Sequence, residues 1–134
     1  DGLGVLLLAK SGIKTVLLTA KDSKVVRRRA KDMGVDIYAG VLPKESLLCK
    51  IRRKYNVSDK NICFVGDDLI DIGIMRRVGI PVAVADAPSE VKKASLYVTR
   101  KRGGKGAARE VVEKILKSKN MWKGAIESLA FLSR

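Results

Sequence analysis

In the stretch Ile62-Cys63-Phe64-Val65-Gly66-Asp67-Asp68-Leu69-Ile70-Asp71, an apolar run ends at a glycine and then releases three carboxylates within five positions. Oxygen ligands grouped in this way bind a hard cation. Mg2+ is the natural guest, because it takes one or two carboxylates and completes its octahedron with water and substrate phosphate oxygens. A competing reading is that Asp67 or Asp68 caps a following helix. Capping explains one aspartate but not a pair with a third at Asp71. Two further groups suit phosphate chemistry. The hydroxyl of Thr19, after the apolar run Val16-Leu17-Leu18, and the backbone N–H groups that follow it can hold a phosphate oxygen. Lys44, after the turn Gly40 to Pro43, is a point charge able to neutralise a transferring phosphoryl group. A hydroxyl, a lysine and an acidic pair make up most of a Mg2+-dependent phosphoryl-transfer site.

The elements needed to position these groups alternate along the chain as short β-type runs and helical periods, the pattern of a wound α/β domain with a parallel sheet. Gly2 to Ser11 reads as a helix stopped by Gly12, although its leucines also suit a strand. Ile13 to Thr19 reads as a strand. A helix capped by Asp22 or Ser23 then runs through Met33 to Gly34, and Asp36 to Tyr38 is a short strand. Lys44 to Tyr55 puts Leu47, Leu48, Ile51 and Tyr55 on one face and Lys50, Arg53 and Lys54 on the other. Ile62 to Val65 is the strand before the acidic group, Gly66 its turn, and Leu69 to Val78 the next helix. Asp67 and Asp68 then stand beyond a strand end, where open α/β sheets bind ligands. The strand Pro81 to Val84, a short helix from Ser89 and the strand Tyr97 to Thr99 follow. Gly103-Gly104-Lys105-Gly106 leads into a helix with Ala108, Val111, Val112, Ile115 and Leu116 at helical spacing, and a weaker amphipathic helix covers Met121 to Arg134.

At 134 residues and 46% hydrophobic, the chain is expected to be one globular domain. Its apolar runs are too short for a membrane span, and Cys49 and Cys63 read as reduced thiols of a cytoplasmic protein. Twenty-eight Lys and Arg against fourteen Asp and Glu leave a net charge of +14, with no histidine. That balance favours anionic partners and removes histidine-based acid–base and zinc chemistry. Nucleic acid is a distant candidate, because the cations are spread over separate faces (Arg27 to Arg29, Lys50 to Lys54, Arg76 and Arg77, Arg100 to Lys105) and few aromatic rings are present for stacking.

A threonine ending one strand, then a lysine, then Gly-Asp-Asp-x-x-Asp resembles the second to fourth motifs of the haloacid dehalogenase superfamily. In response-regulator receiver domains the acidic pair comes first, so the order argues against them. Asp1-Gly2 with Gly4, the run to Thr19, Gly40-Val41-Leu42-Pro43-Lys44, Val82-Ala83-Val84-Ala85-Asp86-Ala87, Tyr97-Val98-Thr99-Arg100 and Gly103 to Glu110 resemble the 3-deoxy-manno-octulosonate 8-phosphate phosphatases over nearly the whole chain. The resemblance implies a Rossmann-like wound parallel sheet with helices on both faces. It also implies hydrolysis of a sugar-acid phosphate through an aspartyl-phosphate. In this reading Asp67 and Asp68 bind Mg2+ while Asp71 orients the loop. Thr19 and Lys44 hold the phosphoryl group, and Lys105 and Arg109 approach the sugar acid, in an assembly that is a tetramer in the family. Lys21 stands where the family has an arginine, which changes the substrate contact there.

The family's first motif, Asp-x-Asp on a central first strand between the strands ending at Thr19 and Gly66, carries the nucleophile and the general acid. No Asp-x-Asp occurs in these residues. The expectation is therefore an amino-terminally incomplete piece of a longer phosphatase, lacking that strand. The alternative is a non-catalytic phosphatase-like module of the kind attached to some sugar-acid cytidylyltransferases.

Overall fold

The computed structural model describes residues 2–40 and 45–132. In chain order they form α1 (Gly2–Lys10), β1 (Val16–Thr19), α2 (Lys24–Met33), β2 (Asp36–Ala39), α3 (Glu45–Tyr55), β3 (Cys63–Gly66), α4 (Ile72–Met75), β4 (Ile80–Ala83), α5 (Ser89–Lys93), β5 (Tyr97–Val98), α6 (Ala107–Ser118) and α7 (Trp122–Leu132). They divide into two compact units, residues 1–40 with 108–134, and residues 41–107.

In the first unit the leucine-rich start is a helix. Leu7 and Leu8 of α1 are buried with Val112, Leu116 and Ala125. The chain leaves α1 through Gly12, whose φ of +78° is open to glycine at little cost, and the Gly12 N–H donates to Ala9 O at 3.1 Å. Ser23 caps α2, its side chain accepting from Val26 N, and Gly34 closes the helix in the left-handed region. These are the boundaries its cap residues predict. β1 starts later than expected, at Val16, and pairs in parallel with β2 from Val16↔Asp36 to Thr19↔Ala39.

In the second unit β3, β4 and β5 form a parallel sheet in that order. Met75, Ala83, Val84, Ala87, Val91 and Ala107 make its core, with Phe64 and Ile72 packed against it. Leu47, Leu48 and Ile51 bury one face of α3 and leave Lys50, Arg53 and Lys54 exposed, as their period implies. Two expectations need correction. The helix expected over Leu69 to Val78 is a 3-10 turn, Leu69–Asp71, followed by the single turn of α4. A capping box of Asp68 and Asp71 fixes the tight first turn, and the chain must straighten again before β4 begins at Ile80. In α6 it is Ala107 that is buried, while Ala108 is exposed, because Ala107 joins the core of the second unit.

The five strands of the described residues are parallel within their sheets, as in a mixed α/β fold. β1 pairs only with β2, and β3 only with β4, among the described residues. Among the described residues each therefore keeps one edge without a ladder partner. No described helix is long and apolar enough to cross a membrane.

Cys63 gives a test of the β3 environment. Burial pushes its thiol up to about 11, and only the thiolate is a strong nucleophile. Alkylation of Cys63 by iodoacetamide, followed by peptide mass spectrometry, should be slow at pH 8 and accelerate as the pH approaches 11. The denatured chain should react readily at pH 8, near the ordinary thiol value of about 8.5. Equal rates for folded and denatured protein at pH 8 would contradict a buried strand.

Candidate active site

β3 ends at Gly66, which is the last strand residue and not the turn the sequence suggests. Its φ lies outside the left-handed region, and the reason for glycine is space. A Cβ there would stand 2.7 Å from Met75 Sδ and 3.0 Å from Asp71 Cβ. The close fit seats Asp71 directly beneath the turn. Asp71 Oδ2 accepts the backbone N–H groups of Asp67 at 2.9 Å and of Asp68 at 3.0 Å. Asp68 Oδ1 in turn accepts from Leu69 N at 2.7 Å. Thus the three aspartates divide their work. Asp71 organises the backbone, Asp68 caps the 3-10 turn, and Asp67 is left at the carboxyl end of a parallel strand with its side chain exposed. The capping reading holds for Asp68, and it leaves Asp67 unexplained.

Electrostatics single out the same residue. Desolvation of its carboxyl raises the Asp67 pKa, a hydrogen bond with Asp71 and the charges of Asp71 and Asp68 raise it further, and its own backbone N–H opposes them. A carboxylate crowded in this way is relieved by a bound cation. Among the described residues no three acidic, cysteine or histidine side chains group around one metal position. Asp67 and Asp68 are two hard oxygen donors, the number Mg2+ commonly takes from protein, so the donor chemistry fits that ion.

Thr19 stands at the carboxyl end of β1, in the other unit. Its Oγ1 donates to Lys21 O at 3.0 Å and accepts from Lys21 N at 3.3 Å, closing a turn that presents the exposed Lys21. Beyond it, Asp22 and Arg27 form an exposed two-pronged ion pair, which lowers the Asp22 pKa, mainly through the Arg27 hydrogen bond. Lys44 lies outside the described residues. Arg109 is half-buried within α6, its Nε 3.9 Å from where a Cβ on Gly4 would stand. Lys105 is exposed on the glycine loop, where Gly104 and Gly106 have φ of +74° and +104°.

The glycine loop is anchored by residues whose roles the sequence did not disclose. Thr99 is 3% exposed. Its Oγ1 donates to Lys101 O at 2.6 Å and accepts from Ala85 N at 3.0 Å, fastening the exits of β4 and β5 together. Asp86 Oδ1 accepts from Gly103 N at 2.7 Å. The only signals in sequence were a hydroxyl inside an apolar strand and an aspartate just past one. Thr99→Val keeps the shape and removes both bonds. It should lower stability by about 1–3 kcal/mol in urea unfolding, whereas Thr99→Ser, which keeps the hydroxyl, should recover most of that loss. An unchanged midpoint for the valine variant would show that the hydroxyl is not part of the anchor.

A family model described as haloacid dehalogenase-like hydrolase matches residues 9–111. The chain belongs to that family. It is 36% identical over 119 residues to the 3-deoxy-D-manno-octulosonate 8-phosphate phosphatase of Haemophilus influenzae, covering 88% of this chain and 66% of that one. The Escherichia coli K12 phosphatase of the same name is 37% identical over 117 residues, covering 87% of this chain and 62% of that one. The chain thus spans a little under two thirds of these relatives. Among solved structures of the haloacid dehalogenase-like hydrolases, the Moraxella catarrhalis 3-deoxy-D-manno-octulosonate 8-phosphate phosphatase, in complex with magnesium, phosphate and a KDO molecule, superposes with a TM-score of 0.91 at 35% identity. It covers 96% of this chain and 74% of that one.

Proposed function

We propose that the whole protein is a Mg2+-dependent phosphomonoester hydrolase acting on a sugar-acid phosphate such as 3-deoxy-D-manno-octulosonate 8-phosphate. The observation that carries the proposal is the Asp67–Asp68 turn at the end of β3, its backbone pinned by Asp71, in a chain similar over most of its length to phosphatases of that substrate. Asp67 and Asp68 would hold the cation. When bound, it neutralises charge on the transferring phosphoryl oxygens. Thr19 Oγ1 and Lys44 Nζ bind those oxygens, and Lys21, Lys105 and Arg109 meet the anionic sugar acid. The nucleophile is an aspartate outside these 134 residues. It attacks phosphorus and expels the sugar alcohol, and water then releases phosphate from the aspartyl-phosphate. The excess of basic residues suits a doubly anionic substrate, and the enzyme acts in the cytoplasm as a homotetramer.

The test is phosphate release from 3-deoxy-D-manno-octulosonate 8-phosphate by the full-length protein, before and after chelation and on re-addition of Mg2+. Activity should vanish with chelation and return with the metal. Equal rates throughout would overturn the reading.

A further inference from the structure

The proposed substrate-facing loop, Arg100 to Gly106, has a flexible composition and a fixed base. Three contacts tie it to the segment that follows β4. Thr99 Oγ1 bridges Lys101 O and Ala85 N, Ala85 N also reaches Lys101 O at 3.4 Å, and Gly103 N donates to Asp86 Oδ1 at 2.7 Å. The last contact stands apart. It is the one that grips the glycine run itself, two residues before Lys105, and it comes from a charged side chain that is otherwise exposed. Gly103 lies close against this segment, since a Cβ there would be in ordinary contact, at 3.5 Å, with both Asp86 Oδ1 and Val84 Cγ2. The backbone therefore passes close over the carboxylate. Cations of the same region surround Asp86. The Gly103 N–H contributes most to holding its carboxyl below the usual range, followed by its own backbone N–H, with Arg102 and Lys92 adding weaker attraction. The carboxylate is thus kept ionised as an acceptor at neutral pH.

From these contacts we infer that Asp86 is a positioning residue, which fixes the glycine loop through the Gly103 N–H and so sets where Lys105 meets the carboxylate end of a sugar-acid phosphate. This rests on the function proposed above. Without the contact, Gly103 to Gly106 is held by the loop's own Lys105 N–H bond to Arg102 O at 3.0 Å, in a run with one side chain in four residues, two of which already occupy conformations that few other residues adopt. The loop would sample many positions, and Lys105 would have to be ordered at substrate binding. That raises KM for a substrate that needs Lys105 and leaves the phosphoryl chemistry at Asp67 and Asp68 as it was.

Two variants and two readouts test the inference in the full-length protein. Asp86→Ala removes the acceptor, and Asp86→Asn keeps a neutral oxygen in its place. In Asp86→Ala, hydrogen exchange of the Gly103 amide should accelerate by roughly tenfold or more, the equivalent of one charge-assisted bond. KM for 3-deoxy-D-manno-octulosonate 8-phosphate should rise by about the same factor, while kcat/KM for a small aryl phosphate without a carboxylate stays within about twofold of wild type. Asp86→Asn should recover most of both losses. Unchanged Gly103 exchange in Asp86→Ala overturns the inference, as does equal loss towards the two substrates, or an asparagine variant as impaired as alanine. If wild type with Mg2+ hydrolyses neither ester, the proposed function fails by itself, and the exchange measurement still decides whether Asp86 holds the loop.

Discussion

Asp67→Asn is expected to remove most Mg2+-dependent phosphate release from the full-length protein, by roughly two orders of magnitude, because it deletes the anionic donor that the other two aspartates leave available. Calorimetric titration with Mg2+ should show the affinity falling in parallel. The same substitution should raise stability in the absence of metal. The Asp67 pKa is raised in the folded state, so the folded protein binds the proton more tightly than the unfolded chain does. The stability this group confers is full below the unfolded carboxylate value and is lost as pH rises through the folded value. At neutral pH the wild-type native state therefore holds an unfavourable charge, and the neutral asparagine does not. The variant's advantage in thermal unfolding should be present at pH 7 and shrink as the pH falls towards the ordinary carboxylate range. Unchanged Mg2+ affinity would remove Asp67 from the metal site, and a variant less stable than wild type at pH 7 without metal would contradict the crowding of carboxylates.

The largest effect on folding should come from Gly79→Ala. Gly79 N donates to Asp59 O at 2.8 Å and Ile80 N to Ile62 O at 3.1 Å, so this residue sets the register in which β4 enters beside β3. A Cβ at position 79 would run into the carbonyl oxygen, Cα and carbonyl carbon of Lys60. Backbone on both sides leaves nothing flexible to yield, in contrast to Gly66, whose nearest neighbour is the Met75 thioether. The expected loss is at least about 3 kcal/mol, read as the urea midpoint or as failure to fold. Gly73 in α4 provides the control. A Cβ there meets nothing within 4 Å, and alanine should stabilise by roughly 0.5–1 kcal/mol through helix propensity. Comparable stability for the alanine variants at positions 79 and 73 would mean that β4 does not enter in this register.

Much of this protein is written in local sequence. Ser23 and Gly34 mark the ends of α2 because a cap bonds within three residues of itself, and Leu47, Leu48 and Ile51 select the buried face of α3 because helical period alone brings them together. The apolar run before Gly66 put Asp67 and Asp68 at the end of a parallel strand, where the structure has them. What the sequence could not decide are the contacts between segments far apart in the chain. Asp86 meets Gly103 across 17 positions and Thr99 meets Ala85 across 14, and neither pair has a local signature. Gly66 looks in sequence like a turn residue, yet Met75 and Asp71 occupy the volume a Cβ there would need, as the Lys60 backbone does at Gly79. The division of labour among three neighbouring aspartates was also decided in three dimensions. Spacing alone did not assign their separate tasks, and only the folded turn commits Asp71 to two amides and one oxygen of Asp68 to a cap. Periodicity and capping act within a turn or two of chain and are legible there, whereas excluded volume and long-range hydrogen bonds exist only after the chain has closed on itself.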